Sequence, residues 1–287
     1  MGILGHAYAL LLGRWIVDDL ELDWVVSLFV FAMIYFLIGV LTCIIVPEKR
    51  IETDAEEDNQ SVLEKTRQIL KTLKNYYKRQ ASNVILLMEY CFIDSQGAMI
   101  VYWVPFFFMK VGFGFDATWV ALSYPIGVAI GSFSTSPLIN YFSNYANLIT
   151  TFILFLECIC AGIFWFIDLK EENLIIFVVL LGLASVFWIG PYTRLAQGDV
   201  IDRVKSSKEK YLAVNSMRMG TEILSAIYTL IIGFIMEMNP RNFLFFLTIN
   251  PVIGLILHII RIVREKRERA AAEEKKEPEQ SQKGLEA

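Results

Sequence analysis

The sequence lacks the residue patterns on which most enzyme active sites are built. It contains no GxSxG, no glycine-rich Walker loop and no HExxH, the signatures of serine hydrolases, nucleotide-binding enzymes and zinc peptidases. There are two histidines, His6 and His258, and each lies in an apolar segment, where such a side chain packs more often than it catalyses. These absences predict a protein that is not an enzyme and needs no cofactor.

Cysteine is also scarce, and its spacing excludes the common zinc and redox sites. The four cysteines are Cys43, Cys91, Cys158 and Cys160, and neither a CxxC motif nor a Cys/His pair occurs. Zinc and disulfide-exchange sites need such pairs of ligands. We therefore expect no metal site, and thiols that pack among helices.

Charge is missing from long stretches of the chain. No charged residue lies between Val25 and Val46 or between Asn173 and Tyr192, and a helix needs about 20 apolar residues to cross a hydrocarbon core. The pattern predicts an all-α, polytopic membrane helix bundle of seven or eight transmembrane helices, with the lipid bilayer and not nucleic acid as its partner. The predicted spans are 24–46, 84–109, 117–142, 147–168, 173–193, 211–236 and 242–262, with an eighth at 2–17 if Arg14 snorkels to the interface.

The distribution of Lys and Arg predicts the orientation. The connection at 47–83 carries eight of them and the connection at 194–210 carries five, whereas the alternate connections carry one each. The connection at 143–145 has no charge and is the one exception to this alternation. Positively charged loops stay on the cytosolic side of a membrane. Both termini are therefore predicted to face the cytosol, provided that residues 2–17 cross the membrane.

Two segments are predicted to lie outside the bilayer core. Residues 47–83 form a cytosolic linker, within which residues 61–80 have a helical pattern with one apolar and one basic face. Such a helix either lies in the headgroup plane or is a plain solvated linker. Residues 266–287 are rich in Glu, Lys, Arg and Gln, which predicts a charged tail that becomes disordered after briefly extending the last helix.

The span 211–236 carries a stripe of polar residues on an otherwise apolar helix. They recur at spacings of three and four, and they are Tyr211, Asn215, Arg218, Glu222, Ser225 and Thr229. This spacing places them on one face, and because polar groups are costly against lipid, the face is predicted to line a transport cavity. A second interpretation is that Arg218 and Glu222 neutralise each other as a pair within the helix.

Further transport-cavity candidates lie in the first span after the linker. Glu89, Gln96 and Trp103 share one face of this helix, whereas Asp94 points about 140° away from Glu89 at about 100° per residue. The two carboxylates are therefore not expected to face one narrow cavity, unless Pro105 kinks the helix. Glu89 is placed close to the cytosolic end, where its burial would cost little.

Two other features of the spans concern helix packing. Glu157 is isolated in the span 147–168, and we expect it to pair across a helix interface. Gly127 and Gly131 form a GxxxG motif, which predicts the close approach of two helices.

A series of short motifs resembles the major facilitator superfamily, and within it the organophosphate:phosphate antiporters that exchange sugar phosphates and glycerol phosphate. In chain order the motifs are Trp103-Val-Pro-Phe-Phe, Asp116 with Gly127 and Gly131, Gly190-Pro191-Tyr192 with Asp199, Leu212-Ala213-Val214 and Gly220-Thr221. Their order and spacing agree over about residues 84–265. The resemblance implies that residues 1–46 are two transmembrane helices like the family's fifth and sixth, and residues 84–265 its six-helix C-terminal half.

The resemblance also implies transport of a small organic anion or sugar phosphate by two six-helix halves that rock about the substrate. Family members carry a phosphate-binding cation in the region where this chain has Asp94 and Gly97. Arg218 is therefore the best remaining cationic contact for such a substrate. The family's first four helices are not in this sequence, so the site is expected to need those helices or another membrane chain. A competing hypothesis is a transporter-derived protein that serves as a structural subunit of a membrane complex.

Asn59 allows a direct test of the orientation, since it begins the sequon Asn59-Gln60-Ser61 in the linker. Glycans are attached to such sequons in secretory compartments, so a cytosolic linker should stay unmodified in a eukaryotic host. Glycosidase treatment and the substitution Asn59→Gln should both leave the mobility of the protein on a gel unchanged. A glycan on Asn59 would reverse the orientation.

Overall fold

The computed structural model describes residues 62–112, 117–200 and 203–283, and eight separate positions between 26 and 41 that are all helical. The long helices are α1 (Val62–Arg79), α2 (Ala81–Lys110), α3 (Ala117–Tyr141), α4 (Ala146–Ile163), α5 (Leu174–Thr193), α6 (Ser207–Met238) and α7 (Phe243–Lys283). No strand occurs in the described residues, which confirms the all-α fold class. The chain divides into two compact units, 1–69 and 70–287; the first holds the eight helical positions and the start of α1, and the second holds the rest.

Most helices of the second unit are long and apolar enough to cross a bilayer. By length and composition, five described segments can cross a membrane: Ala81–Val101, Ser143–Phe166, Leu174–Ala196, Ser207–Met238 and Pro240–Ala271. They belong to α2, α4, α5, α6 and α7, and α3 adds a further helix of 25 residues without charge. The predicted spans from 84 to 262 thus correspond to α2–α7. The predicted span 2–17 and most of 24–46 lie outside the described residues.

Glycines bring α3 and α5 into close contact. A Cβ atom on Gly127 would lie 2.2 Å from the carbonyl oxygen of Gly182, and one on Gly131 would lie 2.5 Å from that of Val186. The close approach predicted from the GxxxG motif is confirmed, with α5 as the partner. α2 lies at the centre of the unit and contacts α3, α5, α6 and α7.

Proline is tolerated inside α7 because another helix binds the carbonyl group that it leaves free. Pro251 has no N–H, so the carbonyl oxygen of Leu247, four residues earlier, lacks its helical partner. Gln96 Nε2 of α2 donates to that oxygen at 3.1 Å. Asn250 Nδ2 in turn donates to the carbonyl oxygen of Phe92 at 2.7 Å. Side chain-to-backbone hydrogen bonds therefore join α2 to α7 in the buried interior.

The amphipathic helix predicted at 61–80 forms as α1. Near its end, the hydroxyl of Tyr77 lies 2.5 Å from Ser216 Oγ, and Arg79 forms an ion pair with Glu209. Tyr76 is fully buried, and burial raises the pKa of its hydroxyl to about 12. The end of α1 is therefore packed on protein, whereas its contact with lipid headgroups stays a prediction.

The tail differs from the prediction of disorder beyond residue 266, because α7 continues to Lys283. The prediction of disorder rests on the lack of apolar residues, yet Ala, Glu, Lys, Arg and Gln all favour helix. Charge pairs four residues apart support the same conformation: Arg264 Nε lies 3.3 Å from Glu268 Oε1, and Arg269 Nη2 lies 3.9 Å from Glu265 Oε2.

The contact between α3 and α5 predicts a large effect of a single methyl group. Gly127→Ala would place Cβ against the backbone of Gly182, and we expect it to lower the free energy of unfolding by about 2 kcal/mol or more. Gly162→Ala is the matched control, because a Cβ there meets no atom within 4 Å and alanine favours a helix by up to about 1 kcal/mol. Thermal unfolding in detergent measures both variants. Equal melting temperatures would contradict this packing.

Candidate functional site

The polar stripe predicted on α6 is largely exposed, while a neighbouring face of the helix is buried. Tyr211, Asn215, Arg218, Glu222 and Thr229 are exposed, and Ser225 is half-buried. The buried face includes Ala213, Met217, Thr221, Tyr228, Ile232 and Met236. α6 packs mainly on α2. Because the stripe is largely exposed, its side chains can contact a substrate or another helix.

Arg218 and Glu222 do not neutralise each other. Among the ion pairs of the described residues, none joins these two side chains and none involves either of them. The interpretation as an intrahelical pair is therefore wrong. An exposed guanidinium on an apolar helix is left for a different partner.

Asp94 of α2 lies beside the stripe. Its carboxylate lies near the hydroxyl groups of Tyr90 and Thr221 and in the electrostatic field of Arg218 and Glu222. Two helices thus bring one cation and two carboxylates together.

Stacked aromatic rings form the wall beside Asp94. Tyr192 of α5 stacks on Tyr90 with ring centroids 5.8 Å apart and on Trp188 with centroids 4.8 Å apart. Trp188 Nε1 donates to the carbonyl oxygen of Ile93 at 2.5 Å, which fixes the indole between α5 and α2. We call the residues Tyr90, Asp94, Tyr192, Arg218, Thr221 and Glu222 the α2–α5–α6 cluster.

Gly97 shows why α2 carries no cation next to this cluster. A Cβ atom at residue 97 would lie 2.7 Å from Trp188 Cζ2 and 3.0 Å from the hydroxyl oxygen of Tyr124. The two aromatic side chains occupy the space that a long basic side chain would need. The cation that the resemblance implies in this region therefore has no room at residue 97.

The other predicted candidates on α2 have different surroundings. Glu89 and Gln96 are buried and bind groups of α7, while Trp103 is half-buried beside α6, where a Cβ on Gly233 would lie 3.9 Å from its ring. Glu89 and Asp94 are thus directed to different helices, as their angular separation predicts. A cavity role for Glu89, Gln96 and Trp103 stays a prediction.

Glu89 is the centre of a buried charge network. His258 Nδ1 lies 2.7 Å from Glu89 Oε1, and Arg261 Nε donates to Glu89 Oε2 at 2.5 Å. Arg261, 1% exposed, also donates to Glu265 Oε1 at 2.7 Å, and its Nη2 lies 2.8 Å from Asp199 Oδ2. The side chain of Glu89 is fully buried, so its charge is stable only beside the guanidinium of Arg261. The expectation that the burial of Glu89 costs little free energy is therefore wrong.

A π-helical turn extends the network beyond α5. Residues Arg194–Asp199 form this turn, and its wider coil brings residues five apart together, so that Arg194 Nε donates to Asp199 Oδ1 at 3.3 Å. Arg194 also donates to Asn147 Oδ1 at 2.5 Å and to Thr150 Oγ1 at 3.2 Å. The turn therefore links α5 to both α4 and α7.

A polar cavity of about 470 Å³ opens at this end of the unit. Arg203 donates to Ser82 Oγ and to Asn83 Oδ1 at 3.0 Å each and forms an ion pair with Glu265. The lining, which we call the charged end, consists of Arg79, Gln80, Asn147, Arg194, Asp199, Arg203, Val204, Lys205, Glu265, Glu268 and Arg269. Because its buried cations already bind acids, the charged end serves to hold helices together.

The network around Glu89 was not predicted from the sequence, although a signal for it was present. His258, Arg261 and Glu265 recur at spacings of three and four at the end of an apolar span, which places them on one helix face. The same kind of pattern revealed the stripe on α6. Their partner Glu89 lies 172 residues before Arg261, however, and no local pattern connects the two.

Glu157 differs from the prediction that it pairs across a helix interface. Its side chain is 1% exposed, and within the described part of the chain neither of its carboxylate oxygens has a hydrogen-bond partner. The predicted pairing is therefore wrong.

Loss of Arg261 should leave Glu89 buried without its main cation. We expect Arg261→Gln to lower the free energy of unfolding by about 3–5 kcal/mol, and Glu89→Gln in the same chain to restore part of it. Arg264→Gln is the matched control, because that side chain is 50% exposed and its pair with Glu268 contributes about 0.5 kcal/mol or less. Denaturant unfolding in detergent compares the variants. Equal midpoints for the two single variants would contradict the role of Arg261.

Comparison with known proteins identifies the family. The family model of the Major Facilitator Superfamily matches residues 1–207 of the 287, a range that includes α1–α5. No curated protein and no solved structure matches the chain. The match does not distinguish between branches of the superfamily, but it agrees with the all-helical, apolar architecture of the described residues. The chain belongs to the Major Facilitator Superfamily and is a membrane transporter-family protein.

Proposed function

We propose that this protein transports a small organic anion that carries hydroxyl groups, of the sugar-phosphate class. The observation that supports this most directly is Arg218, which is exposed on an apolar helix and forms no ion pair with any described residue. A guanidinium binds a carboxylate or phosphate group through two parallel hydrogen bonds. A substrate anion therefore suits this unpaired cation.

The two acids of the α2–α5–α6 cluster restrict the substrate further. Carboxylates accept hydrogen bonds, so Asp94 and Glu222 suit the hydroxyl groups of a sugar, but they repel additional negative charge. Tyr192, half-buried in the same cluster, carries a hydroxyl group that can also form a hydrogen bond with a sugar. A molecule with an anionic group at one end and hydroxyl groups on its other side matches all of these features.

The six helices α2–α7 are proposed to move as one body during transport. Arg261 and its acids connect α2, α5 and α7, and the glycine contact connects α3 to α5. Removing one partner of a buried ion pair costs about 3–5 kcal/mol, so the helices turn together more easily than they separate. This is what a rocking mechanism of alternating access requires.

The opposite wall of the cavity is proposed to come from helices outside residues 70–283. The exposure of the stripe on α6 supports this, since a transport site in this superfamily lies between two halves. Those helices belong either to the same protein or to a second membrane chain. The charged end is proposed to face the cytosol, on the distribution of Lys and Arg, and the glycosylation state of Asn59 tests that orientation.

Transport should depend on Arg218. In proteoliposomes that contain the assembled transporter, uptake of a hexose phosphate should fall about tenfold to hundredfold in Arg218→Ala, because hydrogen bonds to a charged group contribute about 1.5–3 kcal/mol. Arg218→Lys should keep part of the activity. Arg241→Ala is the matched control, an exposed arginine beyond the end of α6 whose Nη2 donates to the carbonyl oxygen of Trp165 at 3.3 Å.

Uncharged hexose provides the comparison that isolates the anionic group. Its uptake should be slow in the wild type and unaffected by Arg218→Ala, since it lacks the group that the guanidinium binds. Unchanged uptake of the hexose phosphate in Arg218→Ala would contradict the proposal. No uptake by the wild type, together with stable co-purification in a large membrane complex, would favour a structural subunit instead.

A further inference from the structure

Glu157 lies in the apolar interior of a transmembrane helix with no partner. It is the twelfth of the 18 residues of α4, its side chain is 1% exposed, and both carboxylate oxygens lack a hydrogen-bond partner among the described residues. It shares its helix face with Thr150, Leu154 and Ala161. The carboxyl group is therefore away from bulk solvent and has no polar partner among the described residues.

No charged group faces Glu157 from the described helices that pack against α4. These helices are α3, α5 and α7, and α3 and α5 contain no Asp, Glu, Lys, Arg or His. The first such residue in α7 is His258, which meets α4 at the carbonyl oxygen of Asn147 at 3.4 Å. Asn147 precedes Glu157 by ten residues, or about 15 Å along a helix. The titratable groups that do interact with Glu157 are the thiols of Cys158 and Cys160 on its own helix.

The cost of charge then decides the state of Glu157. An ionised carboxylate away from water needs a cation or several donors, and without them the group neutralises. Glu89 shows the other solution in the same unit, since Arg261 and His258 bind it. Glu157 has no such cation, so the form that fits its surroundings is the neutral acid.

We propose that Glu157 is a proton-binding site within the membrane, which holds its proton at neutral pH in the packed state of α4. The proton is the ligand, bound to one carboxylate oxygen. The proton leaves only where water or a cation reaches the carboxyl group, and the packing of α4 within the body α2–α7 prevents this. This gives the unit a site for a proton that is separate from the α2–α5–α6 cluster and does not depend on the identity of the cargo.

Infrared difference spectroscopy of the protein in liposomes at neutral pH tests this. The wild-type spectrum minus that of Glu157→Gln should show the carbonyl stretch of a neutral carboxylic acid without hydrogen bonds. Glu237→Gln is the matched control, an exposed glutamate on α6 whose loss should remove carboxylate bands and leave the neutral-acid band intact. Loss of carboxylate bands in Glu157→Gln, with no neutral-acid band, would overturn the proposal.

A second measurement avoids the variant, in case Glu157→Gln does not fold. Glutamate labelled with a heavy carbon isotope at its side-chain carboxyl group shifts the bands of all glutamates and leaves those of aspartates in place. A neutral-acid band that shifts on labelling assigns the proton to a buried glutamate. The other two buried glutamates of the described residues, Glu89 and Glu209, are paired with Arg261 and Arg79. A neutral-acid band that does not shift, or none at neutral pH, would overturn the proposal. Neither measurement involves the cargo, so its result does not decide whether the α2–α5–α6 cluster binds an organic anion.

Discussion

The burial of Glu89 is the constraint on which the arrangement of the charged end depends. A carboxylate away from water keeps its charge only when a cation lies against it, and Arg261 supplies that cation. One guanidinium has five donors in a fixed fork, so Arg261 also reaches Glu265 and Asp199. The helices α2, α5 and α7 must therefore meet at Arg261. The π-helical turn after α5 places Asp199 next to this side chain.

A charged group in an apolar helix loses the favourable free energy of hydration, and three ionisable side chains compensate for this in three different ways. Glu89 is paired with Arg261 inside the protein, Arg218 is exposed on the stripe without an ion pair to a described residue, and Glu157 is buried without a partner among the described residues. The first arrangement fixes helices; on the proposals made above, the second leaves a charge for a substrate and the third retains a proton. Residue type alone does not separate these roles, because Glu89 and Glu157 are chemically identical and differ in what the neighbouring helices carry.

The elements that could be predicted from the sequence are those set by local properties. The positions of α2–α7 follow from apolar length, the stripe on α6 from its period, and the close approach of α3 from Gly127 and Gly131. The pair Glu89–Arg261 could not be predicted, because a helix face does not reveal which distant helix it meets. The prediction of a partner for Glu157 failed because a buried carboxyl group avoids an unpaired charge either by pairing with a cation or by keeping its proton.

The location of the cation in the α2–α5–α6 cluster follows from the packing of Trp188. The indole fills the space beside Gly97, so α2 presents Asp94 at this level and α6 supplies the guanidinium, Arg218. The cluster then contains one more acid than base. A phosphate monoester carries about −1.5 to −2 charges at pH 7, and against this net charge its dianion meets about twice the repulsion of its monoanion. On the proposed function, the monoanionic form is therefore the better substrate, and its extra proton compensates for the acid that the cluster cannot neutralise.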